Sequence, residues 1–228
     1  MPDQRTVLTT DLDWRSAGAS ADKGRPFTPI GLTAILLLPA LLVWLLSQAA
    51  LSAAHLMLLH IGLMTVVAPM LAVALMVFLP RRRSALRHST RLFWAATVLQ
   101  LLVFLYWHSP GGMHLGMHSA RGTAVLQGSL LAVAVAFWWL MQCLPFQQRW
   151  QAALALLLTG KVFCLVALLM TFAPRSLYPA MSLADQQLAG LIMITICPLC
   201  YVTTGLWIFW RWLGDLESGT SIASRPAM

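Results

Sequence analysis

From Ile30 onward the chain alternates between long apolar runs and short polar breaks. The runs are Ile30 to Leu51, His55 to Leu79, Leu92 to Trp107, Gly122 to Leu144, Ala152 to Ala173 and Gln187 to Trp210. A run of about 18 or more apolar residues is long enough to span a bilayer as a helix. Helix is the expected conformation because every backbone N–H and C=O in hydrocarbon must be satisfied within its own segment. The third run is short and is expected to borrow Thr90 and Arg91 to reach across. The pattern predicts an all-α integral membrane protein, a bundle of six transmembrane helices over residues 30–212. A flexible tail over 1–29 precedes it and a short tail over 213–228 follows.

Composition supports the same class. The chain is 59% hydrophobic and only 10% charged, against roughly 25% charged in a soluble domain. The net charge of +8 does not point to nucleic acid, because such a partner requires a solvated basic face, and here the basic residues lie between apolar runs. Asp3, Asp11, Asp13 and Asp22 mix with Arg5, Arg15, Lys23 and Arg25 in the first 29 residues, which contain no signal-peptide core.

Basic residues also give the orientation, since loops rich in Lys and Arg stay cytoplasmic. With six spans both termini share a side, and that side collects 12 of the 15 Lys and Arg, including Arg81, Arg82, Arg83, Arg87 and Arg91. Only Arg121 and Arg175 fall opposite, and Lys161 lies within a span. Both termini are therefore expected to be cytoplasmic. Trp107 near an outer boundary and Trp150, Trp210 and Trp212 near inner ones fit interfacial anchoring.

On this topology five of the six histidines, His55, His60, His108, His114 and His118, gather at the outer ends of spans or in the outer loop. Met57, His60 and Met64 are spaced i, i+3 and i+7, on one helical face. Met113 and Met117 are four apart, as are His114 and His118, so a helical turn there aligns both pairs. Imidazole with thioether is a donor set soft enough to favour Cu(I). The bland alternative is that Met is flexible packing and that a span-end His is merely interfacial.

Three further features are candidates. Cys197 and Cys200 flank Pro198 midway along the last span, and Cys164 lies midway along the fifth, so the thiols share a depth and suit a second soft-metal site. Alternatively they are small buried hydrophobes, and no disulfide is expected of them. Lys161 lies about 14 Å into its span by helical rise, either a functional cation or a side chain that snorkels to the interface. Ser182 and Asp185 form the Ser-x-x-Asp pattern of a helix start, and Asp185 is also a candidate partner for Arg121 or Arg175. No hydrolase triad, phosphate loop or catalytic carboxylate pair can be assembled, so an enzyme is not expected.

Several segments carry a family resemblance. His60-Ile-Gly-Leu-Met-Thr-Val-Val-Ala-Pro69, Trp107-His108-Ser-Pro110, Phe137-Trp138-Trp139, Thr171-Phe-Ala-Pro174 through Leu177-Tyr-Pro179, and Asp185-Gln-Gln-Leu-Ala-Gly-Leu-Ile-Met193 occur in that order. Together they resemble the membrane-embedded CtaG assembly proteins of cytochrome c oxidase. The resemblance implies a multi-spanning plasma-membrane protein needed to form active haem-copper oxidase, supplying or inserting copper at the outer face. Haem-copper oxidase subunits, the bilayer and a copper chaperone are the implied partners. By position His60, His108 and Asp185 match the family's polar residues. Two departures stand out: a histidine four residues before His60 is replaced by Leu56, and histidines early in the fourth span by Thr123 and Gln127. That leaves His114 and His118 as candidates to take their place.

The leading expectation is Cu(I) handling through His60, His108, His114, His118, Met57, Met64, Met113 and Met117, with His55 and the cysteines as lesser candidates. A haem- or quinone-binding redox subunit would instead need facing histidines inside the bundle. A structural scaffold for the oxidase would need neither.

Overall fold

The computed structural model describes residues 53–78, 90–179 and 181–223. The tail over 1–29, the first expected span, the arginine cluster at 81–87 and His88 lie outside the described residues. Within them the chain is helical, with no strand. Helix α1 (Ala53–Gly62) passes through a π-helical turn (Leu63–Val67) into α2 (Ala68–Phe78). Then come α3 (Thr90–Trp107), the short α4 (Pro110–Met117), α5 (Ala120–Gln142), a 3₁₀ turn (Phe146–Gln148), α6 (Trp150–Phe172) and α7 (Leu183–Ala223). Five helical segments are long and apolar enough to cross a membrane: Ala54–Phe78, Thr90–Trp107, Ala120–Gln142, Phe146–Phe172 and Leu183–Leu216. They correspond to the second to sixth expected spans, and the third does begin at Thr90.

Each span separates a packed stripe from a lipid-facing one. In α3, Phe93, Ala96, Thr97, Gln100, Phe104 and Trp107 are buried at a helical period, while Val98, Leu99, Leu102 and Leu105 are exposed. Water cannot drive such helices together inside a bilayer, so close approach through small residues has to do it. Ala68, Ala72, Ala134, Ala155, Ala167 and Ala189 are all fully buried. At Gly190 of α7 a Cβ would sit 2.5 Å from Thr171 Oγ1 and 2.9 Å from the Ala167 carbonyl oxygen, so only glycine lets α6 and α7 meet there.

Polar pairs fix the direction and register of the bundle. At one end, Thr90 donates to Gln148, and Trp94 Nε1 donates to Gln151 Oε1 at 2.8 Å. At the other, Trp107 Nε1 donates to Ser129 Oγ at 2.8 Å. Helix α3 thus starts beside the α5–α6 junction and finishes beside the first half of α5.

The π turn has a chemical origin. The Ala68 N–H bonds the Leu63 carbonyl, five residues back, so the next donor in that register would be residue 69, serving the Met64 carbonyl. Residue 69 is proline and has no N–H. The vacant Met64 carbonyl instead accepts from Trp138 Nε1 of α5 at 3.0 Å, in a buried contact. One tryptophan therefore closes a gap that Pro69 opens, and it ties the second span to the fourth.

The last helix departs from expectation. It runs unbroken for 41 residues to Ala223, so the segment from 213, expected as a tail, is helical for most of its length. At 1.5 Å per residue it measures about 60 Å, roughly twice the hydrocarbon thickness. Its N-terminus is capped as the Ser-x-x-Asp pattern requires: the Asp185 N–H donates to Ser182 Oγ, and Ser182 Oγ donates to Asp185 Oδ2, both at 3.1 Å.

The Trp138 contact gives a test. Trp138→Phe leaves the Met64 carbonyl buried and unpaired and is expected to cost about 1–3 kcal/mol, seen as a lower thermal midpoint in detergent. Pro69→Ala restores a backbone donor, so Trp138→Phe should cost less in that background. Additive losses in the double variant would refute the link between Pro69 and Trp138.

Candidate metal pocket

At the end of the bundle where α3 finishes, five elements converge on a small cavity. Its lining is Leu56, Met57 and His60 from α1, Trp107 and His108 at the end of α3, Met113 and Met117 from α4, Leu126, Gln127 and Leu130 from α5, and Met181 from the loop before α7. The volume open to the centre of a water-sized sphere is about 10 Å³, room for about one such occupant.

Local chemistry sets each wall. The Trp-His-Ser-Pro sequence ends α3 and starts α4. Ser109 is the N-cap, its Oγ accepting from the Gly112 N–H at 3.1 Å, and Pro110 fills the first turn, where its missing N–H does no harm. A Cβ at Gly112 would run into the Tyr106 carbonyl, so glycine allows α4 to fold back tightly over α3. This brings Met113 and Met117 onto the cavity. Thr123 Oγ1 of α5 donates to the Gly116 carbonyl at 2.8 Å and closes the far end of α4.

The two imidazoles are prepared alike. His108 Nδ1 lies 2.8 Å from the Phe104 carbonyl oxygen, which can only accept, so Nδ1 carries the proton and Nε2 keeps its lone pair. His60 makes the equivalent backbone bond to Leu56, four residues back, and its Nε2 is again the free nitrogen. The rings are buried, perpendicular and 5.3 Å apart between centroids. Burial pushes the His108 imidazole from 6.5 down to about 4, so it is neutral, the form that binds metals.

A ring nitrogen buried without a partner is expensive in an apolar interior. Seven buried side-chain polar atoms among the described residues lack a partner, and four of them, His60 Nε2, His108 Nε2 and both amide atoms of Gln127, belong to residues lining this one cavity. Gln127 keeps a polar donor group at the wall.

The loop wall is held from behind. Tyr178 Oη donates to the His108 carbonyl at 2.8 Å, and burial raises that phenol to about 12. Gln186, fully buried, accepts from the Leu177 N–H at 2.6 Å and donates to the Met170 carbonyl at 2.9 Å. Ser176 Oγ contacts the Tyr178 and Met181 carbonyls at 2.8 Å each. These bonds fix the loop that delivers Met181, a cavity residue sequence reasoning missed. Its signal was weak: a methionine beside the Ser182 cap, at the same end as the histidines.

The other candidates are distributed as follows. His60, His108, Met57, Met113 and Met117 come together. Met64 does not: it lies within the π turn, a turn deeper than His60, and it packs in the main core with Ile61, Phe93 and Phe137. His114 and His118 stack on each other at 5.3 Å on the exposed side of α4, away from the cavity. His55 does not line it. Asp185 acts as a cap, and among the described residues it forms no ion pair with Arg121 or Arg175. Lys161 points out of the bundle, while its neighbour Gly160 meets Tyr201. Cys164, Cys197 and Cys200 are free thiols near one another. Among the described residues no three His, Cys, Asp or Glu side chains converge as a metal site, the cysteines included. Any ion in the cavity would therefore rely on two imidazoles and thioethers.

A bundle of apolar spans enclosing a His–Met cavity at one end defines a multi-spanning membrane protein with a soft-donor pocket. The sequence model of the cytochrome c oxidase caa3 assembly factor family (Caa3_CtaG) matches residues 12–215, and the chain belongs to that family. Comparison with curated proteins and with solved structures gives no match.

The loop gives a prediction. Gln186→Leu should leave the Leu177 N–H and Met170 carbonyl unpaired and loosen residues 173–181. Trypsin cleavage after Arg175 should then accelerate by about tenfold or more, the equivalent of 1–3 kcal/mol. An unchanged cleavage rate would show that the loop does not depend on this amide.

Proposed function

We propose that this oxidase assembly factor takes up Cu(I) in the His60–His108 cavity at the outer face of the plasma membrane and yields it to a haem-copper oxidase. The observation that carries the reading is the concentration of unpaired buried polar atoms, two imidazole Nε2 atoms above all, at a cavity walled by Met57, Met113, Met117 and Met181. Imidazole and thioether donors suit Cu(I), whereas hard cations want carboxylates, and no carboxylate lines this cavity. Without thiolates the ion would be held in a form that a partner can strip.

On this reading the protein is a carrier and not an enzyme, both termini are cytoplasmic, and the exposed His114–His118 pair receives copper from a chaperone or offers it to the oxidase. Helix α4 links the two stations, with the imidazole pair on its exposed side and Met113 and Met117 on its buried side. Facing histidines, the condition for a haem- or quinone-binding subunit, are present. The room is not: such ligands need pockets of about 300 Å³ or more, against about 10 Å³ here.

The test is Cu(I) affinity by chelator competition on purified full-length protein, beside oxidase copper content in cells. Wild type should bind one ion per chain. H60A/H108A should abolish that binding and mimic gene deletion. M181L should weaken binding roughly tenfold, about 1.4 kcal/mol. H114A/H118A should keep the affinity and slow the loading. Normal oxidase maturation in H60A/H108A would overturn the copper reading in favour of a scaffold.

A further inference from the structure

The opposite end of the bundle holds a second cavity, unrelated to the His–Met pocket. It is larger, about 450 Å³, and its lining includes Arg149, Trp207, Arg211 and Trp212. It sits where α5 turns into α6 and where α7 leaves the membrane-length part of its course. Thr90 and Gln148 meet at this same end.

Two guanidiniums share this cavity. Each is steadied by a ring: Arg149 Cζ lies 5.7 Å from the centre of Phe146, and Arg211 Cζ lies 5.2 Å from the centre of Trp207. Stacking of this kind orients the fork without neutralising it. Among the described residues neither arginine has a carboxylate partner, although Asp215 lies one turn beyond Arg211. Trp212 also lines the cavity, and its Nε1 is buried without a hydrogen-bond partner. Two unneutralised forks and a spare N–H donor around one opening form a receptor for a tetrahedral oxyanion, which arginine binds in bidentate fashion.

We infer that this cavity binds the phosphodiester headgroup of an anionic phospholipid. Inorganic phosphate offers the same oxyanion, but the surroundings favour the lipid. Trp207 and Trp210 are 58% and 77% exposed beside the opening, as in an interfacial aromatic belt. Basic clefts between spans at the membrane surface are suited to anionic headgroups, and lipid-facing flanks of α6 and α7 such as Leu158 and Leu206 can run alongside the acyl chains.

Full-length protein in a neutral detergent is titrated with phosphatidylglycerol, with phosphatidylcholine, or with millimolar inorganic phosphate, and the thermal midpoint is followed. Phosphatidylglycerol should raise it by about 5 °C or more at saturation, with little effect from the other two. R149Q/R211Q should lose the rise, and R149K/R211K should keep part of it. Helical circular dichroism and a monodisperse elution profile establish that each variant is folded. If the double variant fails that check, R149Q and R211Q singly should each reduce the rise. An equal rise with phosphatidylcholine, or an undiminished one in the glutamine variants, overturns the site. A rise produced by phosphate alone overturns the lipid assignment. Cu(I) binding plays no part in this readout, so the inference stands or falls separately from the copper reading.

Discussion

An unmatched polar atom in hydrocarbon costs several kcal/mol, and the architecture follows from how this chain meets that constraint. Most of its polar groups are answered locally: serine and threonine bond back to carbonyls three or four residues earlier, and caps close the helix ends. Where local answers fail, a neighbouring span supplies one. Trp138 serves the carbonyl stranded by Pro69, and Gln186 spans from α7 to α6 and to the loop between them. The bundle is held in register by a few such long-range bonds, while small-residue contacts bring the helices close.

Against that background the His–Met cavity stands apart, because four of the seven unanswered buried polar atoms among the described residues belong to its lining. His60 and His108 have spent their Nδ1 protons on carbonyls of their own helices and present Nε2 in a space sized for one small occupant. The surrounding methionines are adaptable in shape, so the walls can close on an occupant or relax without one. Position matters as well. At a bundle end, exchange with a partner needs only a short path, whereas the same donors at mid-span would be sealed off.

Much of this was legible in the sequence. Apolar run lengths located the five spans among the described residues, although the last helix runs well past its expected end, and the short third span drew on Thr90 as expected. The i, i+3 spacing placed Met57 beside His60, and the i, i+4 spacing paired His114 with His118. What escaped had identifiable causes. Met64 satisfied the 3.6 repeat, but a π turn broke that repeat just past His60. Nothing in the run of apolar letters announces the turn except Pro69, whose missing donor acts five residues upstream. Met181 lies in a loop, where periodicity is silent, and only the bonds of Gln186, Ser176 and Tyr178 bring it inward. A helical period cannot say which face of a short helix is covered, so the exposure of His114 and His118 is not readable from their spacing. The Arg149–Arg211 cavity joins residues 62 positions apart, beyond the reach of any local pattern.

The π turn joins the two rods of the second span with a rotational offset that a regular α-helix would not have. The rod ending at Gly62 aims its donors at the cavity, whereas the one beginning at Ala68 keeps its alanines against α5. A continuous α-helix would couple these tasks, so that retuning the donors would twist the alanine seam out of contact. The joint absorbs the mismatch, so the donors and the alanine seam each meet their own partners along one continuous span.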